Sequence, residues 1–365
     1  MKKNLLFFAT AAGMLALASC SQDATEGVDN GSAIKFRPSI NGITRAVPTT
    51  VANLSSFNVT GFVEGASTNY FTNWQVNKNG SVWETVGNQY WPATGALKFF
   101  AYAPTSGVGT VSITPAAQTI NGFTVETQAA NQKDLVVAYN AGTKAANEKT
   151  GIALNFKHAL TQIEIHAKNS KPDEFKIEVL GVKLGYFNSQ ADFIFPVSVL
   201  PGTLPSQSWK TPTMVKSCFS DLDAAVTLTN TAQNITKSNF MVIPQKLTPW
   251  SKTASKDGAY LSVLVRIYKK NGSDLVQLYP KTAGKYAYTA IPLDSQLLPG
   301  KKYTFVLNFL QNGAGNIDPD PTNPDNPDPV DPTPGPGGDD VLGGAIKFTV
   351  TVDNWVNETP INKNL

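Results

Sequence analysis

Apolar and polar residues alternate with a period of two along most of this chain, and a 3.6-residue period never holds for more than about two turns. Ile163, Ile165 and Ala167 alternate with Gln162, Glu164 and His166. Tyr303, Phe305, Leu307 and Phe309 alternate with Thr304, Val306 and Asn308, while Leu261, Val263, Val265 and Ile267 lie in an almost continuous apolar run. A period of two puts successive side chains on opposite faces of a pleated strand. Between the runs stand Asn79-Gly80, Asn121-Gly122, Asn271-Gly272 and Pro299-Gly300, and Asn-Gly pairs accept the φ > 0 of tight hairpins. The pattern predicts an all-β chain of antiparallel β-sandwiches. With 365 residues there is room for about two. A break near 140–150 divides them, giving sandwiches over 33–148 and 149–312.

Composition narrows the function classes. Charged residues make up 16% of the chain and apolar ones 41%, which suits neither a disordered polyelectrolyte nor a coiled coil. Of 30 basic residues, Lys2 and Lys3 fall in a segment expected to be removed, leaving 28 against 27 acidic ones. So even a balance gives no electrostatic footprint for nucleic acid. Two cysteines and two histidines supply neither a disulfide framework nor a zinc cluster, and no cofactor is expected.

Residues 1–19 read as a signal peptide: Lys2-Lys3, an apolar run from Leu5 to Leu17, then Ala18-Ser19 before Cys20. Small residues ahead of a cysteine resemble a bacterial lipobox, which makes Cys20 the lipidation site and 20–32 a lipidated, flexible N-terminus. Ser21-Gln22-Asp23, with Glu26 and Asp29, resembles the surface-export tag of Bacteroidetes lipoproteins. Cys218 then has no partner and is expected to be a buried small hydrophobe.

The C-terminal part holds two contrasting pieces. Residues 318–340 contain eight prolines, seven aspartates and three glycines. With almost nothing to bury, the linker 313–344 is expected to be an extended, self-repelling tether. At about 3.1 Å per residue, the 23 residues of 318–340 would reach roughly 70 Å. Interleaved prolines oppose the tight looping of a calcium cage. Residues 345–365 become strand-like again. Ile346, Phe348, Val350 and Val352 share one face, and Trp355 falls out of phase, as after a bulge. One strand on a tether must join a sheet to be stable.

The tail resembles the start of the mature chain. Ala345-Ile346-Lys347-Phe348 repeats Ala33-Ile34-Lys35-Phe36, and Ile34, Phe36, Pro38 and Ile40 match the tail in phase. Pro38 removes a ladder hydrogen bond that Val350 can make, so the tail is the better fit to one slot. Between the two lies an expected loop at Asn41 to Pro48 containing Arg45-Ala46. Of the three arginines, Arg37 precedes proline and Arg266 sits in a strand, which leaves Arg45-Ala46 as the exposed arginyl bond. Residues alone leave two outcomes open: a tail folded back on its own domain, or a tail donated to a neighbour that has lost its first strand.

Several segments together resemble the Bacteroidales fimbrillin family, the type V pilins with two transthyretin-like sandwiches. They are Phe57-Asn58-Val59-Thr60-Gly61-Phe62, Gln89-Tyr90-Trp91-Pro92, Leu97 to Pro104, Asp134 to Ala138, Leu154 to Ile163 and Leu298 to Tyr303. The resemblance covers most of the chain and rests on the order of the segments. It implies an outer-membrane lipoprotein at the cell surface, arginine-specific cleavage, and donor-strand assembly into a fimbrium. Carried over, Cys20 is the lipid site, Arg45-Ala46 the processing bond and 345–352 the donor. Ile34, Phe36 and Ile40 mark the displaced strand. Implied partners are other pilin subunits, the membrane lipid anchor, an arginine-specific protease, and a host or bacterial surface receptor. A donor together with a cleavable loop points to a stalk or adaptor subunit. The long Asp-Pro linker departs from the family pattern.

Two other functions compete with this reading. Trp74, Trp83 and Trp91, with Tyr70 and Tyr90, could form a sugar-stacking platform on a non-polymerising adhesin, although such rings are commoner in cores. An enzyme would have to use His158 or His166, and neither G-x-S-x-G, HExxH nor a paired carboxylate accompanies them. His158 reads as a core histidine, and Asp221 with Asp223 as a turn.

Overall fold

A computed structural model describes residues 28–40, 53–198, 204–252 and 257–354. In chain order, strands β1 (Val28–Ala33), β2 (Phe36–Ile40), β3 (Ser56–Val63), β4 (Phe71–Asn79), β5 (Val82–Thr85), β6 (Tyr90–Pro92) and β7 (Leu97–Ala103) come first. Next are β8 (Thr110–Ile113), β9 (Gln118–Thr124), β10 (Val136–Gly142), β11 (Ile152–His158), β12 (Thr161–Asn169), β13 (Phe175–Ile194) and β14 (Trp209–Thr227). The remainder are β15 (Gln233–Asn234), β16 (Phe240–Val242), β17 (Tyr260–Asn271), β18 (Asp274–Tyr279), β19 (Ala287–Pro292), β20 (Lys301–Phe309), β21 (Asn316–Ile317) and β22 (Lys347–Asn354). The chain is all-β, as its period of two requires.

The strands form three large sheets and one small one. A seven-stranded sheet runs β2-β11-β10-β7-β3-β4-β5, and β1 pairs with β6 beside it. A five-stranded sheet runs β15-β12-β20-β22 with β16 also on β12, and an eight-stranded sheet runs β21-β19-β17-β13-β9-β8 with β14 and β18 alongside. Two hairpins close where Asn-Gly pairs occur. Asn79 pairs with Val82 and Asn271 with Asp274, so the turn residues are Gly-Ser, with φ of +59° at Gly80 and +63° at Gly272. Glycine at the first turn position is the type II′ solution rather than the expected Asn-Gly one. Asn121-Gly122 instead lies within β9.

The division expected at 148/149 is corrected by the pairing. β11, beyond that point, joins β10 and β2 in the first sheet, while β9, well before it, joins β13 in the eight-stranded sheet. The halves are therefore interleaved. β7 shows how they join: Phe99, Ala101 and Ala103 face a core of the seven-stranded sheet, and Phe100 and Tyr102 face the larger core shared with β12, β13 and β20.

The tether is corrected more sharply. Residues 318–340 do not extend but lie as a strap across the eight-stranded sheet. Val330, 4% exposed, packs with Phe219, Leu264, Tyr286 and Tyr288. Backbone bonds join Tyr286 N to Pro329 O at 2.8 Å and Asp331 N to Tyr286 O at 2.7 Å. The strap is shaped by Asx turns: Asp318 accepts from Asp320 N, Asn323 from Asp325 N and Asp331 from Thr333 N, at 2.7, 3.1 and 3.0 Å. Each of these side chains bonds the backbone two residues on, and the proline between them has no N–H to satisfy. The strap also closes on itself. Ile317 N donates to Asp339 O and Val341 N to Gly315 O, at 2.8 and 2.9 Å, so the chain leaves the strap beside the point where it entered.

Candidate functional site

Among the described residues β2 occupies one edge of the seven-stranded sheet, bonded on a single side. It runs parallel to β11, with Phe36 opposite Ile152, Pro38 opposite Leu154 and Ile40 opposite Phe156. The apolar side chains here are sunk deep: Phe36 is 6% and Ile40 8% exposed, and Ile34, two residues ahead of the strand, 1%. Phe36 fills an aromatic box, its ring centroid 5.6 Å from Trp74, 5.7 Å from Phe99 and 6.3 Å from Phe57, all near edge-to-face. Edge-to-face geometry sets the positive ring edge against a neighbour's negative face. Close approach of β2 to β11 depends on Gly151, whose φ is +73° and whose added Cβ would lie 3.0 Å from Lys35 O.

β22 sits in a different sheet. It pairs antiparallel with β20 over eight residues, Phe348 opposite Leu307, Val350 opposite Phe305 and Val352 opposite Tyr303. The first and last strands thus lie in different sheets of this chain. Their seating differs as well. Ile346 is buried and Phe348 packs against the large core, but Val350 is 39% and Val352 49% exposed. Of Ile346, Phe348, Val350 and Val352, which alternate along the chain, only the first two are covered. Cys20, Arg45, Ala46 and Trp355 lie outside the described residues.

The sequence model for fimbrillin-like proteins matches residues 44–322, most of the chain. The chain belongs to the fimbrillin-like family. As a fimbrillin-like protein it is a pilus-related subunit of the cell surface. No curated protein matches it. Among solved structures, a fimbrial protein from Bacteroides vulgatus ATCC 8482 is similar with a TM-score of 0.58 at 16% identity, over 89% of this chain and 100% of that one. A candidate cell adhesion protein from Bacteroides uniformis ATCC 8492 gives 0.47 at 16% identity, over 90% and 100%.

In this fimbrillin-like chain four of the five aromatic residues considered for sugar stacking pack in or against the interior, and Tyr90 is half-buried. Trp91 is fully buried and Trp74 nearly so, with Trp74 Nε1 donating to Val86 O at 3.1 Å. Trp83 and Tyr70 are half-buried against the same core. A platform would need exposed parallel faces, and these rings are instead packed in or against the core.

The histidines serve packing and charge balance. His158 is buried with Nδ1 2.8 Å from Asp134 Oδ2. His166 Nε2 lies 2.6 Å from Glu164 Oε1, and Glu164 also meets Lys302, Asn234 and Asn239. Burial pushes the Glu164 carboxyl up, but the hydrogen bonds from His166 and Lys302 outweigh it and hold the group below its ordinary value. Asp221 and Asp223 lie within β14, not in a turn. Asp221 accepts from Asn323 of the strap at 3.2 Å. Cys218 is buried and free, and burial pushes its thiol up to about 12, far from the range of a nucleophile.

Proposed function

We propose that the chain is a fimbrial subunit, of stalk or adaptor type, that polymerises by passing its last strand to a neighbouring pilin. In this reading it is exported as an outer-membrane lipoprotein acylated at Cys20. An arginine-specific protease cuts between Arg45 and Ala46, and the strand that leaves carries Ile34, Phe36 and Ile40.

The contrast between β2 and β22 carries the reading. Among the described residues β2 is bonded on one side only, yet it and Ile34 just ahead of it drive three large side chains into the core. β22 repeats its alternation and leaves Val350 and Val352 uncovered on its own sheet. Removing β2 would empty the box formed by Phe57, Trp74 and Phe99, and an unfilled box forfeits both contacts and burial. An incoming Phe348 restores the ring, at about 1.5–3 kcal/mol for a fully buried aromatic or aliphatic side chain. Val350 and Val352 gain burial that β20 does not give them, and Val350 supplies the ladder donor that Pro38 lacks. Exchange requires the β20–β22 ladder to open, so the driving force is the difference between two slots and not the whole burial of the tail.

The test is arginine-specific digestion of the purified chain, followed by N-terminal sequencing and electrophoresis without boiling. A new N-terminus at Ala46 and a ladder of stable oligomers are expected. Arg45→Ala should give neither, and wild-type oligomers from that variant would reject the reading.

A further inference from the structure

The strap is rooted by an ion pair removed from water. Lys183, in the middle of β13, places Nζ 2.8 Å from Asp318 Oδ2, with side-chain exposures of 1% and 0%. Ser262 of β17 is the direct cross-strand partner of Lys183, and its hydroxyl donates to Asp318 Oδ2 as well. Asp318 Oδ1 accepts from Asp320 N at 2.7 Å, and Lys183 Nζ donates to the carbonyl of Asp320. Tyr288 and Tyr260 wall the pair, their ring centroids 4.6 and 5.5 Å from Nζ.

We propose that Lys183 and Asp318 condense into an intramolecular amide, a covalent cross-link between the central strand β13 and the root of the strap. Two opposite charges without water carry a heavy desolvation penalty, and proton transfer from ammonium to carboxylate leaves a neutral amine beside a neutral acid. The Nζ lone pair then forms a bond to Cγ. Oδ1 is the oxygen retained, and the Asp320 N–H faces the negative charge that gathers on it. The Ser262 hydroxyl, seated against Oδ2, hands its proton to that oxygen and takes one from Nζ. The Cγ–Oδ2 bond breaks and one water leaves; no oxidant, reductant or cofactor is consumed. Holding the two groups in contact replaces a bimolecular step, an advantage equivalent to roughly 10⁵–10⁸ M. The product keeps its polar atoms satisfied, with the new N–H on the Asp320 carbonyl and the new C=O on the Asp320 amide.

Such a bond would tie the segment that leads to β22 into the centre of the eight-stranded sheet. It does not rest on strand exchange. The test is tryptic digestion of the denatured full chain followed by mass spectrometry. The cross-link predicts no cleavage after Lys183, and a branched peptide joining 177–210 to 303–347, lighter by one water than the two combined. Lys183→Arg keeps a cation but cannot form the bond, and should yield 303–347 as a linear peptide. Separate, unmodified 177–183 and 303–347 peptides from the wild-type chain would overturn the proposal, whatever the variant does.

Discussion

The ring centroids of Phe348 and Phe305 lie 6.1 Å apart at an interplanar angle of 45°, and this contact marks where the tail stops being covered. One alternation further on, Val350 is 39% exposed although it belongs to the same face. Val350→Asp therefore removes little from the isolated chain, and its urea midpoint should correspond to a change within about 0.5 kcal/mol. In a neighbour's core the same aspartate would be an unpaired buried charge. Loss of the oligomer ladder with an unchanged unfolding curve is the expected pair of results.

Phe36→Ala should behave in the opposite way. The ring is enclosed by Trp74, Phe99 and Phe57, and truncating a buried phenylalanine costs about 3–5 kcal/mol. The uncut chain should lose that stability in urea denaturation. Once the first strand has been cut away and replaced, the substituted residue is gone, so assembled oligomers should match those of the wild type.

How much of this was legible can be traced to particular residues. Tyr303, Phe305, Leu307 and Phe309 declared β20 by their spacing, because a strand's two faces are written locally. The shared Ala-Ile-Lys-Phe marked β2 and the start of β22 as a related pair. Their neighbours were not legible, since β11 and β20 lie far away in sequence and pairing partners leave no local trace. For the same reason the interleaving of β9 and β11 across the expected division went unseen. The strap was misjudged on composition: counting prolines and aspartates omits that Asp318, Asn323 and Asp331 each close an Asx turn around a proline. Asp-Pro-Asp, Asn-Pro-Asp and Asp-Pro-Thr were the signal. The buried Lys183 beneath them lay hidden in an ordinary strand.

Stability should fall in acid partly through Glu164. Burial raises its pKa, but His166 and Lys302 together hold it below the ordinary 4.5. A carboxyl depressed in the folded state stabilises fully above its unfolded pKa, and that contribution disappears as pH falls through the folded value. The wild-type urea midpoint should therefore drop in the range below about pH 4.5. Glu164→Gln should be less stable at neutral pH and show a flatter acid limb. Parallel profiles for the two proteins would contradict this assignment.

Val330 is the strap's apolar anchor on Phe219, Leu264, Tyr286 and Tyr288. Val330→Asp places a carboxylate among four apolar or aromatic groups, and burying an unpaired charge there costs more than releasing the middle of the strap. An Asp-specific endoprotease should then cut within 320–336, whereas the wild-type strap should resist under the same conditions. The sheet beneath should stay folded, because the strap's base is held separately by the pairing of Gly315 with Val341.

Gly151 offers a way to loosen the first strand without touching it. At φ +73° an alanine is strained, and its Cβ would stand 3.0 Å from Lys35 O, a backbone atom that cannot swing aside. Left-handed backbone at a non-glycine residue costs about 1–2 kcal/mol. The contact with Lys35 O, though not the left-handed φ, can be relieved by moving β2 away from β11, since among the described residues β2 pairs with β11 and no other strand. Gly151→Ala should thus lower the stability of the uncut chain by about 1–2 kcal/mol and speed displacement of the first strand after cleavage. Oligomer yield against time, following identical arginine-specific digestion of both proteins, reads the effect, and equal rates would show that separation of β2 from β11 does not limit assembly.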